Sequence, residues 1–358
     1  MREDEILTEG RIWLRRSGER LIGIHRHVEW VAETEDGPFA RLHSAVLVPS
    51  ARRAGIGVQE WRPRLAVEGR SALGLLLGHL FRQKHAHSVM LDARDTEGSL
   101  LTAALQCGFR EEGRRRHAAL VEDFWHDHVD MSILEDEWRR GDNPEDVASV
   151  PHRPEPVAAD LPAIPEPLAW DFAMLRGPRV TMRRKRPEDK ERFFRWQCRS
   201  EWWRGWMPED PAGFRAPTRE EFEAQWRDAP TPNEWIVETE RGVPIGRCFY
   251  SGLDRVSRAA EGGFLLYDAG HWGRGYGTEA FGLLLRHAFE DLHLHRVHSA
   301  TWAGNVASLS VQLKNGLRIE SRGRDSYFVD GRWYDTCRTA ALDNEWRRSV
   351  RLSERNAT

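Results

Sequence analysis

The strongest constraint on the fold is an internal repeat, because the two halves of the chain carry the same pattern of residues. Gly74–Leu77 matches Gly282–Leu285, and the register between the two segments then stays constant without a gap. Further downstream the matched pairs are Phe81/Phe289, Val89/Val297, Gly108/Gly316, Trp125/Trp333 and Glu137–Arg140/Glu345–Arg348. Upstream, after a small register change, Glu29–Val31 matches Glu234–Ile236. Matching over this length predicts two copies of one domain.

Length and composition fit this duplication. The 358 residues suit two domains of ordinary size, and a hydrophobic content of 40% is enough for two cores. Between the copies, prolines and acidic residues crowd one stretch, which predicts a stiff and extended segment. We therefore expect a first domain over residues 1–140, a Pro-rich acidic linker over 141–175 and a second domain over 176–348.

Charge and cysteine usage narrow the class of protein. A net charge of -3 gives no electrostatic basis for a nucleic acid or an anionic membrane as partner. No apolar stretch is long enough to span a bilayer, and the N-terminus has no signal-peptide pattern. The cysteines and the His-x-His pairs lack the spacing of a metal or redox site. We expect a cytoplasmic protein that binds no metal.

A glycine-rich segment in the second copy predicts a phosphate site. His271–Ala280 follows an apolar stretch, Gly263–Tyr267, and precedes an amphipathic run, Phe281–Phe289. A strand, a glycine loop and a helix start in this order bring backbone N–H groups and the helix dipole close to an anion.

The same segment carries a family resemblance. Trp272–Ala280 resembles the pyrophosphate loop of the GNAT N-acetyltransferases, especially the branch that includes the Rim-type ribosomal-protein acetyltransferases. The family pattern is [Q/R]-x-x-G-x-[G/A]; Gly275 and Gly277 fill its last two positions, and Trp272 stands at the first, a departure that this branch often shows. The resemblance continues through Asn305–Ser308 to Glu345–Trp346, and it covers about residues 177–347.

The resemblance implies the fold and the donor. The order of strand, helices, three strands, helix, strand, helix and strand in the second copy predicts a mixed α/β sheet with helices on both faces. The whole chain is then an α/β protein of two GNAT-like mixed-sheet domains, with acetyl-CoA as co-substrate. The implied coenzyme-binding residues are Leu265, Leu266, Arg274, Gly275, Tyr276, Gly277, Thr278, Asn305 and Ser308.

The first copy lacks the equivalents of this site. In register, Val67 faces Gly275 and Glu68 faces Tyr276. A valine has less backbone freedom than glycine, and a carboxylate repels phosphate. Glu97 and Leu100 stand where the second copy has its Asn and Ser. We therefore expect a degenerate domain without ordinary coenzyme binding.

The first copy is also short. Its first 28 residues stand where the second copy has a longer N-terminal part, whose helical stretch Glu188–Arg227 has no clear counterpart. In the family, those helices line the acceptor cleft, so a structural or partner-shaping role is expected for the first copy. Arg52–Gly57 fits the family's loop pattern literally, but no helix start follows it, and we interpret it as a turn.

The acceptor implied by the resemblance is a primary amine, which must lose a proton before it attacks the thioester. Glu261, just before the fourth strand, is the first candidate for the base, although a carboxylate at a strand end is also an ordinary surface feature. Glu240 is a weaker candidate, because the first copy keeps its equivalent. In this family, a backbone N–H near Leu265 or Leu266 supplies the oxyanion donor.

The group that assists the leaving thiolate is less clear from the sequence. Many relatives carry a Tyr seven residues after the Asn that starts the helix, but here that position is Gln312, which cannot act as an acid. Ser308, Tyr327 and Tyr334 are the substitutes. Thiolate is also a good leaving group, so a dedicated acid is not required.

The sequence leaves the acceptor and one rival function open. The acceptor is either a polypeptide N-terminus or a small amine, since the fold does not decide the substrate. Trp196, Trp202, Trp203, Trp206 and Met207 either form core or floor an acceptor pocket. The alternative function is that of a non-catalytic acyl-CoA-binding or scaffolding protein.

Overall fold

The computed structural model describes residues 6–22, 25–48, 52–63, 65–141, 157–158, 174–199, 215–226 and 233–356. The chain divides into two compact units. Unit 1 comprises residues 1–158 and 321–328, and unit 2 comprises residues 159–320 and 329–358. Most of the predicted linker lies outside the described residues. The sequence did not predict that segment 321–328 groups with unit 1.

Unit 1 is built on a mixed sheet. Strands β1 to β5 pair antiparallel in chain order, β5 pairs in parallel with β6, and β6 and β7 both pair antiparallel with β8. The strands are β1 Ile6–Glu9, β2 Ile12–Ile22, β3 His25–Thr34, β4 Gly37–Val48, β5 Arg53–Trp61, β6 Ser88–Arg94, β7 Arg110–Val121, β8 Phe124–Leu134 and the short β9 Val157–Ala158. The helices are α1 Ala66–Gly78, α2 Gly98–Gln106 and α3 Glu135–Arg140.

Unit 2 repeats this plan. Strands β10 to β14 pair antiparallel in chain order, β14 pairs in parallel with β15, and β15 pairs antiparallel with β17. The strands are β10 Met174–Arg176, β11 Val180–Arg183, β12 Glu234–Thr239, β13 Pro244–Asp254, β14 Ala259–Leu266, β15 Arg296–Trp302, β16 Arg318–Val329 and β17 Arg332–Leu342. The helices are α4 Lys190–Gln197, α5 Arg219–Gln225, α6 Tyr276–Arg286, α7 Val306–Lys314 and α8 Asp343–Asn356.

Each unit has its own apolar core, and α6 shows how the sequence builds it. Ala280, Phe281, Leu284 and Leu285 recur at helical spacing and are all 0% exposed. They join Trp235 and other strand residues in the core of unit 2. Burial of each large side chain contributes about 1.5–3 kcal/mol, so this face fixes the helix on the sheet.

The two cores share unusual local structure. Both α1 and α6 continue into a five-residue π-helical turn, at His79–Gln83 and His287–Asp291. In each unit, the histidine that begins this turn packs edge-on against a buried tryptophan. The ring centroids are 5.0 Å apart for His79 and Trp30 and 5.3 Å apart for His287 and Trp235. π-helical turns are rare, so their recurrence at matched positions supports a common architecture.

Backbone angles agree with this match. Residues other than glycine seldom take a positive φ, yet three matched pairs do so with nearly equal values. The pairs are His85 and His293 at 52° and 49°, His117 and Asp325 at 49° and 45°, and Glu122 and Asp330 at 50° and 47°.

Segment 321–328 is held in unit 1 by charged groups. Ser321 Oγ donates to Asp130 Oδ2 at 2.5 Å. Arg324 lies 3.1 Å from Glu112 and 2.7 Å from Glu137, whose side chains are only 4% and 7% exposed. A buried carboxylate without a cation is costly, so Arg324 compensates Glu112 and shares the compensation of Glu137 with Arg110 at 3.0 Å.

Two sequence-based expectations were wrong in detail. Arg52–Gly57 forms no turn, because β5 begins at Arg53 and its alternate residues Ala54 and Ile56 are buried. The predicted order for the second copy also omitted the short β10, the final strand β17 and α8. The two residues Asp330 and Gly331 separate β16 from β17, and they form the tight turn of a hairpin.

The units differ in what precedes the shared sheet. In unit 1, β3 begins three residues after β2 ends. In unit 2, α4 and α5 lie in the chain between β11 and β12. Unit 1 therefore has no place in this part of its chain for equivalents of these helices.

Candidate functional site

A cavity of about 720 Å³ opens in unit 2 where two neighbouring strands separate. β14 and β15 pair in parallel only between Ala259–Glu261 and Arg296–His298. Beyond that point, Gly262–Leu266 and Ser299–Trp302 line the cavity, together with the starts of α6 and α7. The edge of a strand that has lost its neighbour offers backbone N–H and C=O groups to an extended ligand.

The glycine loop forms one end of this cavity. Gly275, Gly277 and Thr278 line it, and Gly275 takes the left-handed conformation, with φ of 84°, directly before α6. No side chain caps α6, and the first backbone bond at its start is from Glu279 N to Gly275 O at 3.0 Å. The N–H groups of the first helical turn therefore remain available, with the helix dipole, for an anion.

Arg179 braces this loop, and the sequence gave no indication of it. Its Nη1 donates to the carbonyl of Arg274 at 2.9 Å, and its Nε lies 3.0 Å from Glu279 Oε2. A Cβ added at Gly275 would lie 2.8 Å from Arg179 Nη2. Arg179 lies about 100 residues before the loop, and only the fold brings its cation to the helix start.

Arg274 and Tyr276 stand apart from the cavity lining that holds the other predicted loop residues. Arg274 is exposed, and the Tyr276 ring lies 5.4 Å from the Arg179 guanidinium. Tyr276 Oη is also 3.4 Å from Glu240, the weaker candidate base, which does not line the cavity either. The Tyr276 side chain thus packs against Arg179 and Glu240 outside the cavity lining.

The predicted strand residues Leu265 and Leu266 do line the cavity. The carbonyl of Leu266 already accepts a hydrogen bond from Trp272 Nε1 at 2.8 Å. Trp272 is thereby fixed at the cavity mouth, with its ring 45% exposed. This contact gives the unusual first residue of the loop pattern a structural role.

Glu261 lies where the cavity meets the paired part of the sheet. It is half-buried and accepts a hydrogen bond from Ser251 Oγ at 3.0 Å. Phe249 lies nearby in the lining, and its ring covers Gly263, where a Cβ would collide with it. An amine in this part of the cavity would meet an apolar ring and one carboxylate that can accept a proton.

The start of α7 forms the opposite wall. Asn305 caps the helix through its Oδ1, which accepts from Ser308 N at 3.1 Å, and both residues line the cavity. Gln312 is 1% exposed and lies behind them, with its Nε2 3.2 Å from Ser308 Oγ. Gln312 is therefore a buried partner of Ser308 and does not line the cavity.

The two predicted tyrosines are not brought to the cavity. Tyr334 packs edge-on against Trp302 at 5.1 Å, outside the lining. Tyr327 falls in the segment that groups with unit 1. Of the substitutes proposed from the sequence for the missing acid, the structure places only Ser308 at the cavity.

A mainly aromatic second cluster lies near the end of β14, where Leu265 packs against it. It consists of Phe193, Trp196, Phe222, Ile236 and Tyr267. Trp196 stacks on Tyr267 at 5.1 Å and is 5% exposed, so it belongs to the core. Trp202, Trp203, Trp206 and Met207 lie outside the described residues. Burial raises the pKa of Tyr267, against the opposing effect of the Arg247 cation, so its phenol keeps its proton.

The described residues contain neither a membrane-spanning helix nor a metal-binding cluster. None of their helices combines the length and apolar character needed to cross a bilayer. Among the same residues, no group of three or more His, Cys, Asp or Glu side chains is arranged to hold a metal ion.

The chain was compared with known proteins. A family model described as acetyltransferase (GNAT) domain matches residues 179–318. Among curated proteins, Putative ribosomal N-acetyltransferase YdaF of Bacillus subtilis (strain 168) is 33% identical over 105 residues, which are 29% of this chain and 57% of that protein. Uncharacterized N-acetyltransferase p20 of Bacillus licheniformis is 31% identical over 31% of this chain and 62% of its own length. The chain thus spans about six tenths of these relatives.

Solved structures give matches of low identity. A GNAT-family acetyltransferase from Bacillus anthracis is 20% identical, with a TM-score of 0.41, over 48% of this chain and 99% of that one. A spermidine N-acetyltransferase from Vibrio cholerae, in complex with CoA and spermine, is 19% identical with the same TM-score of 0.41 and the same two coverages, 48% and 99%.

Proposed function

Because residues 179–318 carry a GNAT acetyltransferase domain, we propose that unit 2 transfers the acetyl group of acetyl-CoA to a primary amine. The amine attacks the thioester directly while both substrates are bound. The observation that carries this proposal is the cavity itself, which joins a helix start with available N–H groups to a half-buried carboxylate.

We expect the donor to lie along the lining of this cavity, from the glycine loop toward Glu261. Its pyrophosphate would meet the N–H groups and the helix dipole at Gly275–Thr278, in a loop that Arg179 braces through the Arg274 carbonyl. The acyl-pantetheine arm would run between β14 and β15, where unpaired backbone groups can bind its amides. Asn305 and Ser308 would flank the arm on the helix side.

Glu261 is the proposed base that accepts a proton from the amine substrate. A primary amine is mostly protonated near neutral pH, so a carboxylate must take a proton directly or through water. A backbone N–H of β14 near Leu265 or Leu266 would donate to the oxyanion of the tetrahedral intermediate. Phe249 supplies an apolar surface for the carbon chain of the amine.

Two acceptor classes stay open within this proposal. A polypeptide N-terminus is supported by the name of the relative YdaF and by the resemblance to the Rim-type branch. A small amine fits the same chemistry. The four free cysteines suit a reducing compartment, so we place the reaction in the cytoplasm.

The role that we propose for unit 1 is structural. We infer that it is a degenerate second copy of the same domain, and the matched π-helical turns and positive φ angles support this inference. Val67 and Glu68, which stand at the positions of Gly275 and Tyr276, argue against donor binding there.

The test combines calorimetric binding of acetyl-CoA with the release of free CoA in the presence of amines. The panel holds a polyamine, an amino-acid amide and peptides with free N-termini. We expect one binding site, acetylation of at least one class, and a fall in kcat of about 100- to 1,000-fold for Glu261→Gln with unchanged acetyl-CoA affinity. Ser251→Ala, which removes only the hydrogen bond to this carboxylate, is the matched control and should cost less than tenfold.

The outcomes separate the proposal from its rival. Acetyl-CoA binding without CoA release for any amine would favour the non-catalytic acyl-CoA-binding protein, a reading that the absent Tyr at Gln312 favours. Normal turnover by Glu261→Gln would remove this residue from the mechanism while leaving the transfer itself intact.

A further inference from the structure

We propose that Gln312 and Thr339 are positioning residues that direct the hydroxyl hydrogen of Ser308 at the sulfur of the acyl thioester. The inference rests on the proposed acetyl transfer. It gives a function to the residue that replaces the usual tyrosine, and it assigns a role to Thr339, which had no sequence signal.

The three side chains form a continuous chain of hydrogen bonds. Thr339 Oγ1 lies 2.7 Å from Gln312 Oε1, and Gln312 Nε2 lies 3.2 Å from Ser308 Oγ. Thr339 and Gln312 are each 1% exposed, whereas Ser308 is half-buried and lines the cavity. The chain thus runs from the interior of unit 2 to the wall of the cavity.

The two distances favour one orientation of the Gln312 amide, which is the assigned one. A contact of 2.7 Å is typical of an O–H donor, and one of 3.2 Å is typical of an N–H donor. Thr339 therefore donates to the amide oxygen, and the amide NH₂ donates to Ser308. Thr339 Oγ1 has a second acceptor in the carbonyl of Ser299, but at 3.4 Å this contact is much weaker.

This arrangement leaves Ser308 as a donor. Its oxygen accepts from Gln312, and among the described residues no protein acceptor is found for its hydroxyl hydrogen. A serine in a helix commonly returns that hydrogen to the carbonyl four residues earlier, but here no such bond forms. The hydrogen is free to point into the cavity.

The position of Ser308 matches the expected place of the thioester. The far end of α7 meets the phosphate loop, since Asn315 Nδ2 donates to the carbonyl of Thr278 at 3.0 Å. Ser308 lies seven residues before Asn315, which is about 10 Å along the helix axis. It therefore faces the part of the donor beyond the pyrophosphate, on the way to Glu261.

Unit 1 offers an internal comparison for this chain. At the matched positions, it carries Leu100, Ala104 and Met131 in place of Ser308, Gln312 and Thr339. These three side chains are 0–2% exposed. The shared architecture thus packs well with apolar residues here, so folding alone does not require the polar trio.

The reaction balances with Ser308 as a hydrogen-bond donor alone. The nitrogen lone pair of the amine forms the N–C bond, and the C–S bond breaks with its electron pair on sulfur. The ammonium first loses one proton to water through Glu261, the second nitrogen proton passes to Glu261 as the N–C bond forms, and the CoA thiolate leaves with a hydrogen bond from Ser308. The thiolate takes a proton from water after release, and Glu261 returns its proton to water.

The test is the pKa of the CoA thiol when CoA is bound to the full-length protein, followed by the ultraviolet absorbance of the thiolate. A hydrogen bond from Ser308 stabilises the thiolate, so Ser308→Ala and Gln312→Met should each raise that pKa by about one unit. The same variants should lower kcat about tenfold and change the Kd of CoA by less than threefold. Thr339→Val should also raise the pKa of the bound thiol, whereas Thr339→Ser keeps the hydroxyl and should leave that pKa at its wild-type value.

The double variant Ser308→Ala/Gln312→Met gives the sharpest comparison. If Gln312 acts through Ser308, the double variant should match Ser308→Ala alone, because the two effects are not additive. A bound-thiol pKa that is the same in wild type and Gln312→Met would overturn the proposal, since a purely structural role would change stability or CoA affinity instead.

The two proposals fail in different ways. If CoA binds and the thiol pKa responds but no amine is acetylated, the transfer reaction is wrong and the positioning role stands. If amines are acetylated and the thiol pKa does not respond, the positioning role is wrong and the transfer stands. If CoA does not bind at all, both are wrong.

Discussion

The two units place the same helix after the same sheet but start that helix differently. In unit 2, Gly275 takes a left-handed conformation and α6 begins without a side-chain cap. In unit 1, α1 begins two matched positions earlier, and the Glu68 carboxylate accepts from Leu65 N at 3.0 Å. One helix start keeps its N–H groups available for an anion, and the other carries a built-in anion of its own.

The space beside the two helix starts also differs, because it is open in unit 2 and occupied by a side chain in unit 1. In unit 2, Gly277 faces the cavity. In unit 1, the matched Gly69 faces the Trp61 ring, which would lie 2.7 Å from an added Cβ. Near the end of β6 in unit 1, the Asp92 carboxylate lies 2.7 Å from Arg115 and 3.1 Å from His128, so it already has two partners within the unit. The comparison teaches that two units can keep the same core and fold although, in unit 1, its own side chains occupy the space that corresponds to the cavity of unit 2.

The largest expected effect comes from exchanging the residues that differ at the helix start. Gly275→Val should weaken acetyl-CoA binding on the order of 100-fold, since valine at this φ is strained and its side chain would displace Arg179. Calorimetry measures the effect. Val67→Gly is the matched change in unit 1 and should neither add a site nor alter the first one. Binding that survives Gly275→Val would place the donor elsewhere.

A smaller effect is expected at Arg179. Arg179→Ala removes a cation and the bond to the Arg274 carbonyl, so the Kd of acetyl-CoA should rise about tenfold. Arg179→Lys should recover only part of this loss, because a lysine cannot bind the loop and Glu279 at the same time. Arg286→Ala, an exposed change at the other end of α6, is the control for net charge. Equal losses in both alanine variants would reduce the role of Arg179 to general electrostatics.

The smallest effect concerns the shared core. Burial lowers the pKa of His287 from 6.5, although Asp291 at 2.9 Å acts in the opposite direction. The folded state therefore disfavours the protonated ring. Its contribution to stability is complete above pH 6.5 and is lost as the pH falls below 6.5 toward the lowered folded pKa.

Within that window, the free energy of unfolding of unit 2 should fall by at most about 1.4 kcal/mol per pH unit because of this site. Calorimetric unfolding at several pH values measures it, and His287→Gln should remove this part of the slope. Unit 1 has Gln83 at the position of Asp291, so Asp291→Gln makes unit 2 resemble unit 1 at this site. The change removes the group that raises the pKa of His287, so the unfolding free energy should fall more steeply with falling pH. An unchanged slope in His287→Gln would assign the pH dependence to other groups.

Much of the architecture could be predicted from the sequence. The repeat predicted the matched cores, and the pattern of strand, glycine loop and helix predicted the cavity end at Gly275–Thr278. Asn305 and Ser308 were predicted from the family resemblance and Glu261 as a candidate base, and all three line the cavity. Their roles stay predictions, but their places follow from backbone freedom, helix capping and apolar periodicity, which act over a few residues.

The remaining features depend on residues that are far apart in the chain. Arg179 reaches the loop, and Thr339 reaches Gln312, only after the sheet has formed. The same holds for segment 321–328, whose Arg324 neutralises buried carboxylates of unit 1. Tyr334 fits an acid by residue type, but its strand turns it onto Trp302.

The sequence by itself thus determined an α/β pattern with one intact glycine loop and predicted its duplication, because residue patterns and backbone freedom are properties of short segments. The tertiary structure alone decided which charges brace that loop and which polar side chains stand behind Ser308. Such choices depend on burial and on distances between strands, and a buried polar group finds its partner wherever the fold has placed one.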